Sequence, residues 1–165
     1  MNLHVMWDGT YTLDDLFNEA SESNTKTLTE NKDKGLYQIY GDHPVYGSDT
    51  LLYIGKAVKQ TFNKRINQEH NWWHNRHSSR IKIYVGRFMY NRIPDHKQWE
   101  DDVSEAERLL IYTHMPAHNS SNISSVYDSG RDITVMNYGM HRSLITEVSS
   151  KMWLREQNRL KIYGE

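Results

Sequence analysis

Five polar residues spread along this chain, Tyr37, Tyr53, Arg65, Glu107 and Asn119, supply the parts needed to cut a phosphodiester. Tyr37 closes the tripeptide Gly35-Leu36-Tyr37, and Tyr53 opens Tyr53-Ile54-Gly55. Two phenols can manage protons, although a reference pKa of about 10 makes tyrosine a weak base at neutral pH without help from a cation or a metal-bound water. A guanidinium such as Arg65 can grip a phosphate with its planar fork and stabilise the charge added in the transition state. A carboxylate such as Glu107 can hold one divalent ion, which polarises the phosphoryl oxygen and stabilises the departing 3′-oxygen. Asn119 can orient the site by hydrogen bonds or tie a helix end to a sheet. Taken singly, each residue also has a plainer reading. The tyrosines would be strand aromatics packed beneath a helix, Arg65 a solvated helix residue and Asn119 a turn residue.

Such residues need elements to position them. Residues 35–40 alternate, with Tyr37 and Ile39 on one face, and Leu51–Lys56 reads as a second strand. Residues 41–50, dense in turn formers, read as a long loop joining an antiparallel pair, so that Tyr37 and Tyr53 face each other across one edge. Gly55 ends its strand where a backbone or phosphate approaches closely, or marks a simple bulge. Before the pair, Thr12 caps a short helix over Leu13–Ala20, and Ser21–Lys34 is a polar loop. After it, Gln60–His70 has helical spacing at Phe62, Arg65, Ile66 and Glu69, with its basic residues outward, and Arg80–Met89 alternates as a third strand. A helix starting at Asp101 or Ser104 carries the stripe Ala106, Leu109, Leu110 and Thr113 and stops at Pro116. Asp101, Asp102 and Glu105 are its N-terminal charges. Asp132–Tyr138 predicts a later strand and Ser143–Leu160 a C-terminal helix. The order predicts an α+β fold, a small antiparallel β-sheet flanked by helices. One domain spans 1–165, with a core at 35–119 and elaborations at 1–34 and 120–165.

The net charge of -1 hides a segregation. Residues 56–98 hold 10 Lys/Arg against 2 Asp/Glu, whereas residues 1–35 hold 3 against 7 and residues 99–165 hold 7 against 10. A basic block in an acidic chain is either a footprint for a polyanion or an ordinary solvated face. Its members Lys56, Lys64, His70, Arg76 and Arg80, interleaved with Trp73, suit contacts to phosphates and bases; the alternative for Trp72-Trp73 is a pair closing the core. With no cysteine, disulfides, thiol nucleophiles and Cys-ligated zinc are excluded. No apolar run has the length of a membrane span and the first residues lack a basic region, so the expectation is a soluble, cytoplasmic protein with no membrane partner.

With these residues in view, the chain resembles the GIY-YIG nucleases, a family named for its two tyrosine motifs. The first motif is Gly-Leu-Tyr here; the second is intact and continues as Tyr53-Ile54-Gly55-Lys56-Ala57, similar to bacterial excision-repair incision subunits. Phe62-Asn63-Lys64-Arg65 resembles the family's Phe-x-x-Arg turn, and Glu107-x-x-Leu110-Ile111 followed by Pro116 and Asn119 is similar to its ending. The resemblance covers Gly35 to Asn119, about half of the chain. It implies a metal-dependent endonuclease that hydrolyses DNA, RNA not excluded, leaving 5′-phosphate and 3′-hydroxyl ends. Tyr37 would be the general base, Tyr53 its partner, Arg65 the phosphate clamp and Glu107 the ligand of a single Mg²⁺ or Mn²⁺. One departure stands out: many relatives carry histidine four residues after the arginine, where this chain has Glu69, with His70 one further on. The compact chain is similar to the restriction-type members, and double-strand cleavage would call for a homodimer, with the C-terminal helix as a candidate interface. The alternative is a nucleic-acid-binding or accessory module on the same scaffold that does not cut.

Overall fold

A computed structural model of the chain describes residues 1–17, 27–77, 80–92, 94–124 and 131–153, with the side chains of 70–77 outside that description. The fold is α+β. Its strands are β1 (Asn2–Tyr11), β2 (Gly35–His43), β3 (Gly47–Ala57), β4 (Lys82–Met89), β5 (Thr134–Gly139) and β6 (Glu147–Ser149). The helices are α1 (Leu13–Phe17), α2 (Phe62–His77) and α3 (His96–His114).

All six strands join one sheet in the order β3-β2-β4-β1-β5-β6. The expected antiparallel sheet is in fact mixed, because β1 runs parallel to β5 from Asn2↔Thr134 to Trp7↔Gly139. The buried Asn137 fastens this pair: its Oδ1 accepts from Trp7 Nε1 at 2.8 Å, and its Nδ2 donates to Ile145 O at 2.8 Å. Strand β1 has no counterpart among the sequence expectations, yet Leu3, Val5 and Trp7 are buried at alternate positions, the period of a strand with one covered face.

Period-two alternation along β2 sorts the core into two clusters, and a bulge in β3, where Ile39 pairs with Tyr53 but Tyr40 with Leu51, puts Leu52 and Ile54 in different ones. Leu36, Tyr40 and Ile54 join Val103, Ala106 and Leu110 of α3, while Tyr37, Ile39 and Leu52 join Phe62 and Ile66 of α2. Strand β2 is buried from Gly35 to Gly41, which accounts for its nearly continuous apolar and aromatic sequence.

Several expected boundaries move. The long loop between the tyrosine strands shrinks to a turn at residues 44–46, since both strands extend through turn-forming residues. Helix α2 begins at Phe62 rather than Gln60 and runs on to His77. Helix α3 starts five residues before Asp101, because Asp95 accepts from Gln98 N at 2.9 Å and caps it. Asp102 is therefore not an N-terminal charge. It is 2% exposed and accepts from Gln98, Tyr90 and Arg131, at 2.6, 3.1 and 2.9 Å. Residues 143–149, expected to open the C-terminal helix, instead form a loop and β6, and helix begins at Ser150. The rest of that helix and its proposed interface lie outside the described residues, as does the end of the Leu13–Ala20 helix.

Candidate active site

Tyr37 and Tyr53 stand on adjacent strands, but not face to face. Tyr37 pairs with Gly55 and Tyr53 with Ile39, so the two phenols are diagonal neighbours with ring centroids 6.0 Å apart. The glycines of both motifs have steric reasons. A Cβ on Gly55 would lie 2.6 Å from the Tyr37 hydroxyl and 2.7 Å from Cε1 of Tyr53. Gly35, at φ +140, brings its backbone against Gly86, whose carbonyl oxygen would sit 2.2 Å from any Cβ.

The first turns of α2 meet these tyrosines from one side. Arg65 and Glu69 are one helical turn apart, and their Nη2 and Oε1 are 2.5 Å apart. The Tyr37 hydroxyl donates to the other Glu69 oxygen, Oε2, at 2.8 Å. The residue standing where the nuclease resemblance expects histidine thus bridges the first tyrosine to the arginine. The sequence shows Glu69 as a helical position and as a departure from the resemblance, with no role in the site. The signal that could have found it is its i,i+4 spacing from Arg65.

Exposure separates the two phenols. Tyr37 is wholly buried and Tyr53 is half-buried. Burial raises the pKa of Tyr37 well above a phenol's ordinary value, and the charge of Glu69 adds to it. Burial likewise pushes Tyr53 up to about 12, with further contributions from Glu69 and Glu107. Both are neutral phenols at physiological pH.

Glu107 reaches the group from α3. Its side chain is 14% exposed, its Oε2 lies 2.9 Å from Lys56 Nζ, and its charge acts on Tyr53 and Arg65. Burial raises its carboxyl above the usual carboxylate range, against the opposing pull of Lys56. A desolvated carboxylate of this kind favours a cation beside it, which fits a one-carboxylate seat for a divalent ion completed by phosphate and water. Among the described residues no three His, Cys, Asp or Glu side chains converge as a fuller cage. Lys56 also donates to Ser104 Oγ at 3.0 Å, so it spans from the second tyrosine motif to α3.

Asn119 takes no position among the charged groups. Its Oδ1 accepts from Ile54 N at 3.0 Å and its Nδ2 donates to Ile54 O at 2.9 Å, holding the backbone between Tyr53 and Gly55. Ala117 N and His118 N bond to Leu51 O and Leu52 O just before it, so this segment covers the outer edge of β3.

The basic residues divide. Lys56 belongs to the group and Lys64 is exposed one position before Arg65. Arg80 is not part of it: it lies 3.7 Å from Asp42, toward the far end of the β2–β3 hairpin. The side chains of His70, Trp73 and Arg76 lie outside the described residues. A polar cleft of about 650 Å³ lined by residues including Asp8, Tyr11, Asp33 and Arg87 shares no residue with the tyrosine group. Comparison with family models, with curated proteins and with solved structures finds no match to this chain.

Proposed function

We propose that the chain is a metal-dependent endonuclease that hydrolyses DNA phosphodiester bonds by a one-metal mechanism. The observation that carries this reading is the convergence of Tyr37, Tyr53, Arg65 and Glu107, from four different elements, around one edge of the sheet. In this reading Arg65 binds the scissile phosphate and stabilises its developing charge. Lys56 adds a second cation at the same place, and the two phenols manage the proton of the attacking water. Glu107 would hold the Mg²⁺ or Mn²⁺. When bound, that ion neutralises charge on the phosphoryl oxygens and on the leaving 3′-oxygen. Asn119 acts on the reaction through the backbone of Ile54, by keeping Tyr53 in place. The products carry 5′-phosphate and 3′-hydroxyl ends. One such site cuts one strand, so a restriction-type double-strand break would require two copies.

The complete burial of Tyr37 favours a second reading, a nucleic-acid-binding module on the same scaffold that does not cut. Incubation of supercoiled plasmid with protein and Mg²⁺ separates the two. The nuclease reading expects nicking that stops with EDTA and falls by roughly 100-fold or more in Glu107→Ala and in Tyr37→Phe. Shifted but intact plasmid in every sample would overturn it in favour of the module.

A further inference from the structure

Both cations that the nuclease reading assigns to a phosphate are already engaged by carboxylates. Arg65 pairs with Glu69 and Lys56 with Glu107, so these four charges cancel in the resting site. The Lys56 pair has the larger consequence, because Glu107 is the seat of the divalent ion in the nuclease reading, on which this inference rests. Lys56 Nζ lies 2.9 Å from Glu107 Oε2 and donates to Ser104 Oγ at 3.0 Å. The charges of Arg108 and Arg65 also act on Glu107. The two paired side chains are 29% and 14% exposed, so solvent screens their attraction less than it would at an open surface. An ammonium and a divalent ion repel each other across one carboxylate, and the lysine covers one of its two oxygens. Lys56 also has what an exchange of partners requires. Its charge rides on a flexible four-carbon stem with rotatable donors, unlike the fixed fork of an arginine. Its backbone follows Gly55 on β3 and pairs with Leu36, so the ammonium is tethered beside both tyrosine motifs wherever it turns.

We propose that Lys56 is the resident counter-ion of Glu107, and that it exchanges this carboxylate for a DNA phosphate when a divalent cation takes Glu107. The exchange breaks no covalent bond and moves no proton. A cation entering alone strands the Lys56 ammonium beside a second positive charge. A phosphate entering alone meets a lysine and an arginine that are both committed to carboxylates. When both enter, every charge has a partner. Cation and DNA therefore bind cooperatively, and by linkage each tightens the other by the same factor. Lys56 sets this coupling by disfavouring the state that holds the cation without DNA.

Metal affinity, rather than turnover, separates this role from a structural one. Mn²⁺ is titrated into the DNA-free protein and the free ion is followed by electron paramagnetic resonance. Lys56→Met keeps most of the stem and removes the competing charge, so it should bind Mn²⁺ about tenfold more tightly than the native protein. In Ca²⁺ the same variant should bind a fluorescent DNA duplex more weakly, by anisotropy, because the ammonium that meets the phosphate is gone. A lysine that only braces the fold does not tighten one ligand while loosening the other. Lys56→Arg should lower Mn²⁺ affinity below native, because a planar guanidinium grips a carboxylate more firmly. Mn²⁺ affinity unchanged or lowered in Lys56→Met overturns the exchange, as does native-like DNA binding by that variant in Ca²⁺. Either result leaves the nuclease reading intact where the native protein nicks plasmid in Mg²⁺. Should Lys56→Met fail to fold, Lys56→Arg decides alone, and Mn²⁺ affinity at or above native overturns the proposal. Mn²⁺ binding that survives Glu107→Gln unchanged overturns both the exchange and the metal seat of the nuclease reading.

Discussion

The side chain missing from Gly55 is as consequential as those around it. Tyr37 lies across this glycine so closely that a methyl group would meet its hydroxyl at 2.6 Å, well inside van der Waals contact. Gly55→Ala must therefore displace Tyr37, Tyr53 or the strand itself. Its expected cost is about 1–3 kcal/mol of stability, read as a lowered midpoint in urea. The same displacement disturbs the Tyr37–Glu69 hydrogen bond and the approach of the two phenols, so nicking should fall further than stability does. A Gly55→Ala protein with native stability and native rate would show that the phenols need not touch.

Among the elements, β3 is an edge strand that carries Tyr53 and Lys56, and edges of sheets are exposed to slippage and to pairing with other chains. The segment following α3 manages this edge through backbone bonds from Ala117 and His118 and the two-sided clasp of Asn119 on Ile54. The left-handed Met115, whose N–H returns to Ile111 O at 2.8 Å, turns the chain out of α3 toward that strand. Asn119→Ala removes both side-chain bonds to the backbone of Ile54. The expected loss is about 1–3 kcal/mol by thermal or urea unfolding, with DNA binding kept and turnover reduced because Tyr53 is no longer held. A variant that unfolds less easily than the native protein would refute the clasp.

For the whole molecule the question is how a chain of net charge -1 meets a polyanion. Among the described residues the basic block divides: Lys56 sits with the tyrosine group and Lys64 is exposed on α2 next to Arg65, whereas Arg80 lies beside Asp42 toward the other end of the hairpin. Counterion release scales with the phosphates contacted, so each lysine that meets one contributes about one unit to the slope of log affinity against log salt. Lys64→Ala should weaken DNA binding and lower that slope by about one, whereas Arg80→Ala should leave both within about twofold of native values. Equal effects from the two substitutions would place the DNA along the entire hairpin.

Local patterns were enough for much of this molecule. Alternating apolar residues announced β2, β3 and β4, an apolar stripe ended by Pro116 announced α3, and the ordered tyrosine, arginine and glutamate residues singled out a group that the fold brings together. Those signals depend on neighbours within a few positions, which a linear reading can see. Other features were decided only when distant segments met. Strand β1 finds its place between β4 and β5, and its parallel pairing with β5 makes the sheet mixed, with Asn137 gripping Trp7 across 130 residues. Asp102, charged and therefore expected at a surface, is buried because Gln98, Tyr90 and Arg131 converge on it. Glu69 gains its meaning only from the arrival of Tyr37 from another strand. Residue type fixes which protons and charges are on offer, but burial and hydrogen-bond direction, which arise only in three dimensions, determine which group gives and which receives.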